Sequence, residues 1–169
     1  MKLFFAFAVA LSCVNMSYAQ TSKKEKQNAK EAEIKKLVDD QNYVFKANFA
    51  NPQRGGSRAL DFDYDLVVSK DTINTFLPYF GRAYTAPINP SDDGGIKFVS
   101  TNFVYKTQSN KKGGWDIDIK PKEQNSNDMR SVQSLRLSVT TSGYATLYVT
   151  SSNRDPISFD GYIQGRDKK

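Results

Sequence analysis

Apolar side chains recur at every second position through most of the chain from Tyr43 onward. Trp115, Ile117 and Ile119 stand against Asp116, Asp118 and Lys120. Leu135, Leu137 and Val139, then Ala145, Leu147 and Val149, repeat the pattern on either side of Ser142-Gly143. Successive side chains of a strand point to opposite faces, so a period of two marks a strand with one apolar and one solvated face. A chain patterned this way must build antiparallel sheet and bury a single side of it.

Other stretches add strands of the same kind. Tyr43, Phe45, Ala47 and Phe49 form one apolar face, and Leu60, Phe62, Tyr64, Leu66 and Val68 form the next. Ile73 to Phe80 is apolar but carries Pro78, which predicts a turn followed by a short edge strand. Ile96 and Phe98 are even-numbered, whereas Phe103 and Tyr105 are odd. A slip of one residue flips the buried face, so a bulge or bend is expected at Ser100-Thr101-Asn102. Lys111 to Gly114 reads as a tight turn, Pro121 to Arg130 as a polar loop, and Ser142-Gly143 as a hairpin. Asn153-Arg154-Asp155-Pro156 turns the chain into a last strand with Ile157, Phe159 and Ile163.

Only one stretch has helical spacing. Ile34, Leu37 and Val38 share a face between Ala29 and Asp40, and Glu31 precedes Lys35 in the order that favours a surface pair. The expectation is therefore mainly β (α+β): one N-terminal helix packed on a curled antiparallel sheet of about eight strands, barrel-like, with a two-sheet sandwich second. The organisation is a leader over 1–19, a polar basic linker over 20–28 and a single β-rich domain over 29–169.

The leader is Met1 to Ala19. Lys2 supplies a positive start, Leu3 to Leu11 an unbroken apolar run, and Ser17 and Ala19 the small residues of a cleavage site before Gln20. The run is about half the ~20 residues a bilayer-spanning helix needs. Export to the periplasm or beyond is expected, with no transmembrane segment in the mature chain. A weaker lipoprotein box ends at Cys13. The protein has no histidine, and Cys13 is its one cysteine. A mature chain without either cannot form a disulfide, a Ser-His-Asp triad, a Cys-His dyad or a thiolate–imidazole zinc site. Most general-base chemistry near neutral pH uses histidine, so the balance tips away from an enzyme.

The formal charge of +6 suggests a nucleic-acid partner until it is located. Lys23, Lys24, Lys26, Lys30, Lys35 and Lys36 outnumber Glu25, Glu31 and Glu33 near the start, and Lys168 and Lys169 lie at the end. From Leu37 to Asp167 the charges balance. A duplex binder needs a basic stripe on its folded body, so no nucleic-acid partner is expected.

Candidate sites are few. Tyr79, Arg82 and Tyr84 lie beside the long irregular stretch that contains Asp92 and Asp93. Outward tyrosines with an arginine fork would make a stacking and hydrogen-bonding platform. The plainer alternative is aromatics in the core and Arg82 paired with an acid. Asp61, Asp63 and Asp65 would share one strand face. They are weak candidates for a calcium site, set against a solvated face that resists edge aggregation. No cofactor is expected.

Four stretches carry a resemblance: Leu77-Pro78-Tyr79-Phe80-Gly81-Arg82-Ala83-Tyr84, Asp93-Gly94-Gly95-Ile96-Lys97-Phe98, Ser142-Gly143-Tyr144-Ala145-Thr146-Leu147, and Asn153 to Ile163. The chain resembles the bacterial exported family filed as domain of unknown function 4251, over most of the mature length. The resemblance implies a single secreted or envelope domain and brings no catalytic residues. The reading is a non-catalytic binding or accessory domain of the bacterial envelope, its ligand or protein partner unknown. The alternatives are a carboxylate-dependent glycan-active enzyme, or a structural subunit that pairs through an edge strand.

Overall fold

A computed structural model describes residues 23–84, 94–122 and 132–166. The leader expected over 1–19, Asp92, Asp93 and most of the loop expected over Pro121 to Arg130 lie outside the described residues.

Among the described residues one helix, α1 (23–39), precedes ten strands. They are β1 (Tyr43–Pro52), β2 (Arg58–Ala59), β3 (Asp65–Val68), β4 (Ile73–Leu77) and β5 (Ile96–Ser100). Then come β6 (Phe103–Ser109), β7 (Trp115–Pro121), β8 (Val132–Val139), β9 (Tyr144–Ser151) and β10 (Arg154–Gln164). The sheet order is β5-β4-β3-β1-β10-β9-β8-β7-β6, with β2 paired to β1. Every pairing among the named strands is antiparallel.

The two ends of this sheet, β5 and β6, are consecutive in the chain. Only Thr101 and Asn102 separate them. From Ser100 to Phe103 the chain reaches at most about 11 Å, so the sheet must curl until its edges meet there. The result is a nearly closed barrel with a seam, since β5 and β6 are not hydrogen-bonded to each other. The change of parity expected at Ser100-Thr101-Asn102 falls at this seam.

Inward side chains from all the long strands form one continuous apolar cluster. It includes Tyr43, Phe45, Leu66, Ile117, Leu137, Leu147 and Phe159, all fully buried. Trp115, Ile117 and Ile119 lie on the buried face as their spacing predicts. The helix adds Ile34 and Val38, while Leu37 is only half-buried. Its last turn closes through Gln41 N–H to the Val38 carbonyl, 3.2 Å, and Asn42 N–H to the Leu37 carbonyl, 3.1 Å. Gln41 takes φ 50°, the left-handed cap that ends a helix in this way. Lys35 pairs with Asp39, one turn on, rather than with Glu31. Among the described residues no helix is long and apolar enough to cross a membrane.

Three expectations need correction. The alternation of β1 breaks at a bulge between Ala47 and Phe49, which turns Phe49 outward and Ala50 inward. The strand expected over 60–68 begins only at Asp65, so Phe62 is exposed in the preceding loop. Pro78 does not precede an edge strand; it ends β4, which is paired on both sides.

Candidate functional site

Pro78 ends β4, and residues 78–84 cross as a strap to the start of β10. Backbone bonds fasten it there: Tyr84 N–H to the Asn153 carbonyl at 2.9 Å, and Asp155 N–H to the Arg82 carbonyl at 3.0 Å. Ala83 forms a bridge with Arg154. The Tyr79 hydroxyl reaches the carbonyls of Arg82 and Asp155, each at 3.0 Å. The Tyr84 hydroxyl donates to the Asp155 carboxylate. Arg154, 6% exposed, stands with its guanidinium 4.6 Å from the Tyr79 ring centre and donates to the Gly94 carbonyl.

These contacts set the electrostatics. Burial, then the negative charge of Asp155, pushes the Tyr79 phenol above its ordinary value, against the opposing Arg154 charge. The hydrogen bond to Asp155 does the same for Tyr84. Both stay neutral, and both are donors committed to the strap's own architecture. Arg82 is different. It is exposed, and its guanidinium lies 5.6 Å from the centre of the Tyr84 ring, itself 62% exposed. The strap thus presents a cation over an open aromatic face, which suits polar or anionic groups. The structure brings Tyr79, Arg82 and Tyr84 together; Asp92 and Asp93 lie outside the described residues.

Asp61, Asp63 and Asp65 do not share a strand face, because Asp61 and Asp63 precede β3. Lys46 Nζ lies 3.1 Å from Asp65 and 3.8 Å from Asp63. Burial lowers the Lys46 pKa, but the hydrogen bond and charge of Asp65, with Asp63, outweigh it and leave the ammonium raised above its ordinary value. Among the described residues no three His, Cys, Asp or Glu side chains are placed to hold a metal ion.

A concavity lies on the solvent face of β8, β9, β10 and β1, away from the strap, where sequence reasoning named nothing. Tyr144 on β9 stands directly opposite Tyr162 on β10. They are 69% and 38% exposed. Phe49, turned out by the β1 bulge, joins them. These rings border an open groove of about 460 Å³ that also includes Thr146, Asp160 and Lys112. Its floor is the small pair Ala145 and Gly161, one row in from the tyrosines. Asp160 is fixed by Asn51 Nδ2 at 2.6 Å and Thr146 Oγ1 at 2.7 Å. A polar hollow of about 390 Å³ over Lys46, Asp61 and Asp63 continues it, sharing Asn48 and Tyr162. The signal was present in the sequence: tyrosines at the solvent parity of two neighbouring strands.

The strap and this groove draw on the stretches that carry the resemblance. Leu77 to Tyr84 packs against Asn153 to Asp155, and Tyr144 to Leu147 pairs with Phe159 to Tyr162. No curated protein matches the chain. The crystal structure of a DUF4251 family protein from Bacteroides eggerthii DSM 20697 is similar, with a TM-score of 0.58 at 16% identity. The match covers 82% of this chain and 91% of that one, and at this identity it speaks for the fold alone. The profile of the domain of unknown function DUF4251 matches residues 25–163, and the chain belongs to that family.

Proposed function

We propose that this is an exported, non-catalytic binding or accessory domain of the bacterial envelope. The leader over Met1 to Ala19 supports export, and the absence of histidine and of any cysteine after Cys13 supports a role without covalent or acid–base chemistry. One observation carries the binding role. The strap spends its two tyrosine hydroxyls internally yet holds Arg82 exposed over Tyr84. A rigidly anchored loop that presents an exposed cation is the form a recognition surface takes on a stable scaffold.

Intact mass of protein recovered from the periplasm tests the export step. A chain beginning at Gln20 is expected; a lipid-modified Cys13 start would make it an anchored lipoprotein instead. Capture from envelope extracts tests the strap. Arg82→Ala should lose a partner that the wild type retains, with the melting temperature nearly unchanged. Equal capture by both would remove Arg82 from the surface. A structural role through strand addition has one observation in its favour, the unpaired edges of β5 and β6 at the seam. Capture that survives Arg82→Ala but fails when Thr107→Pro removes an N–H from β6 would favour it.

A further inference from the structure

The outer groove is a different surface from the strap, and its chemistry is more specific. Tyr144 and Tyr162 are cross-strand neighbours on an exposed face. Directly opposed side chains stand about 5 Å apart, so their rings form a broad apolar step rather than two isolated contacts. Around them are short hydrogen-bonding groups: Thr146 and the fixed carboxylate of Asp160, with Asn48 at the junction of the two hollows. The groove crosses four adjacent strands, β8, β9, β10 and β1, a span of roughly 14 Å at the usual strand spacing. It then continues over Lys46, Asp61 and Asp63.

Three features choose the occupant. First, the floor belongs to interior strands whose backbone groups are engaged in ladders on both sides. An extended peptide would find no free edge to pair with, so recognition must run through side chains. Second, Lys46 and Lys112 are matched or outnumbered by Asp61, Asp63 and Asp160, so an acidic polymer meets no positive field. Third, flat aromatic faces beside fixed acceptors and hydroxyl groups complement a ligand with apolar C–H faces and hydroxyl edges. We propose that this groove binds a neutral polysaccharide chain, with Tyr144 and Tyr162 stacking on successive sugar rings and Asp160 and Thr146 holding hydroxyls.

Affinity electrophoresis of the purified protein through gels cast with β-glucan, α-glucan, mannan or xylan tests this, with polygalacturonate as the anionic control. Retardation by at least one neutral polymer is expected, and none by polygalacturonate. Tyr144→Ala and Tyr162→Ala should each weaken it about tenfold, the loss of one stacked ring. Tyr162→Phe, which keeps the ring, should retain most of it. Arg82→Ala should bind the glycan normally, so failure here and failure of the strap reading are separable. Both alanine variants replace exposed side chains, and unchanged melting temperatures would confirm that they fold. No retardation by any neutral polymer would overturn the proposal. So would equal retardation of the tyrosine variants, or binding to a peptide library that these variants abolish.

Discussion

Gly161→Ala is the sharpest test of how the barrel is held. In an exposed strand a glycine-to-alanine change stabilises by about 0.4–1 kcal/mol when the backbone tolerates it, because the unfolded chain loses freedom. At Gly161 the fold predicts the opposite sign. An added Cβ would overlap the carbonyl oxygen of Lys46 outright, and would stand 2.9 Å from its carbon and 3.2 Å from Ala47 Cα. All three atoms are backbone of β1, just before the bulge at Ala47/Phe49. None is the tip of a side chain that could swing away. Relief requires β1 to move off β10, which strains or breaks ladder bonds worth about 0.5–1.5 kcal/mol each. Overpacking in general costs about 1–3 kcal/mol, and a backbone obstacle places this site at the upper end, near 3 kcal/mol. For a domain of this size that is a fall of roughly 6–12 °C in melting temperature. Urea denaturation followed by the fluorescence of Trp115, the one tryptophan, reads it directly. Gly165→Ala is the control, since its Cβ would meet only Leu37 Cδ2, at an ordinary 3.7 Å. A midpoint for Gly161→Ala at or above wild type, with an unchanged m-value, would refute the close approach of β1 and β10.

Further outcomes follow from the core and the strap. Trp115→Ala, at a site 7% exposed, should cost about 3–5 kcal/mol, read by circular dichroism in urea. Tyr43 is fully buried, with its hydroxyl 3.4 Å from that of Tyr105, and burial first, then Tyr105, raises its pKa well above the ordinary 10.0. The unfolded chain therefore loses this proton at lower pH than the folded one. Stability should hold below about pH 10 and fall above it, with a shallower fall in Tyr43→Phe, which urea midpoints from pH 7 to 11 would show. Tyr79→Phe should cost about 1 kcal/mol through the lost hydroxyl contact to the Asp155 and Arg82 carbonyls, the latter keeping the Asp155 N–H, and an unchanged melting temperature would count against the strap's anchorage.

Much of the fold is legible because local periodicity and global burial agree. Ile34 and Val38 dock the helix, and Trp115, Ile117 and Ile119 face inward, as their spacing requires. The departures occur where one residue changes parity. The bulge before Phe49 lies beside the Ala47–Gly161 pair, whose partner is more than a hundred positions away, so nothing local announces it. Phe62 continues an alternation that the structure does not pair, since β3 starts only at Asp65. The site divides in the same way. Tyr79, Arg82 and Tyr84 are near in sequence and are brought together. Asp155 and Arg154, which position them, are contributed by β10 and could not be assigned from spacing. Tyr144 and Tyr162 were visible as outward-parity aromatics, but their opposition depends on the β9/β10 register.

The groove and the stability of the barrel share a cause. Gly161 lets β1 approach β10 closely, and the approach coincides with the bulge that throws Phe49 outward. The same glycine, paired with Ala145, leaves a floor of small residues one row in from Tyr144 and Tyr162. A larger residue at 161 would therefore push β1 away and disturb the wall that Phe49 supplies, because its Cβ would run into the β1 backbone at Lys46 and Ala47. Stability and surface shape are coupled here through backbone position and not through contact with a ligand. That coupling separates position 161 from positions 144 and 162. Substitution at the glycine should lower the melting temperature and glycan retention together, whereas alanine at either tyrosine should lower retention alone. Loss of retention in Gly161→Ala with the melting temperature intact would break the link between the bulge and the groove.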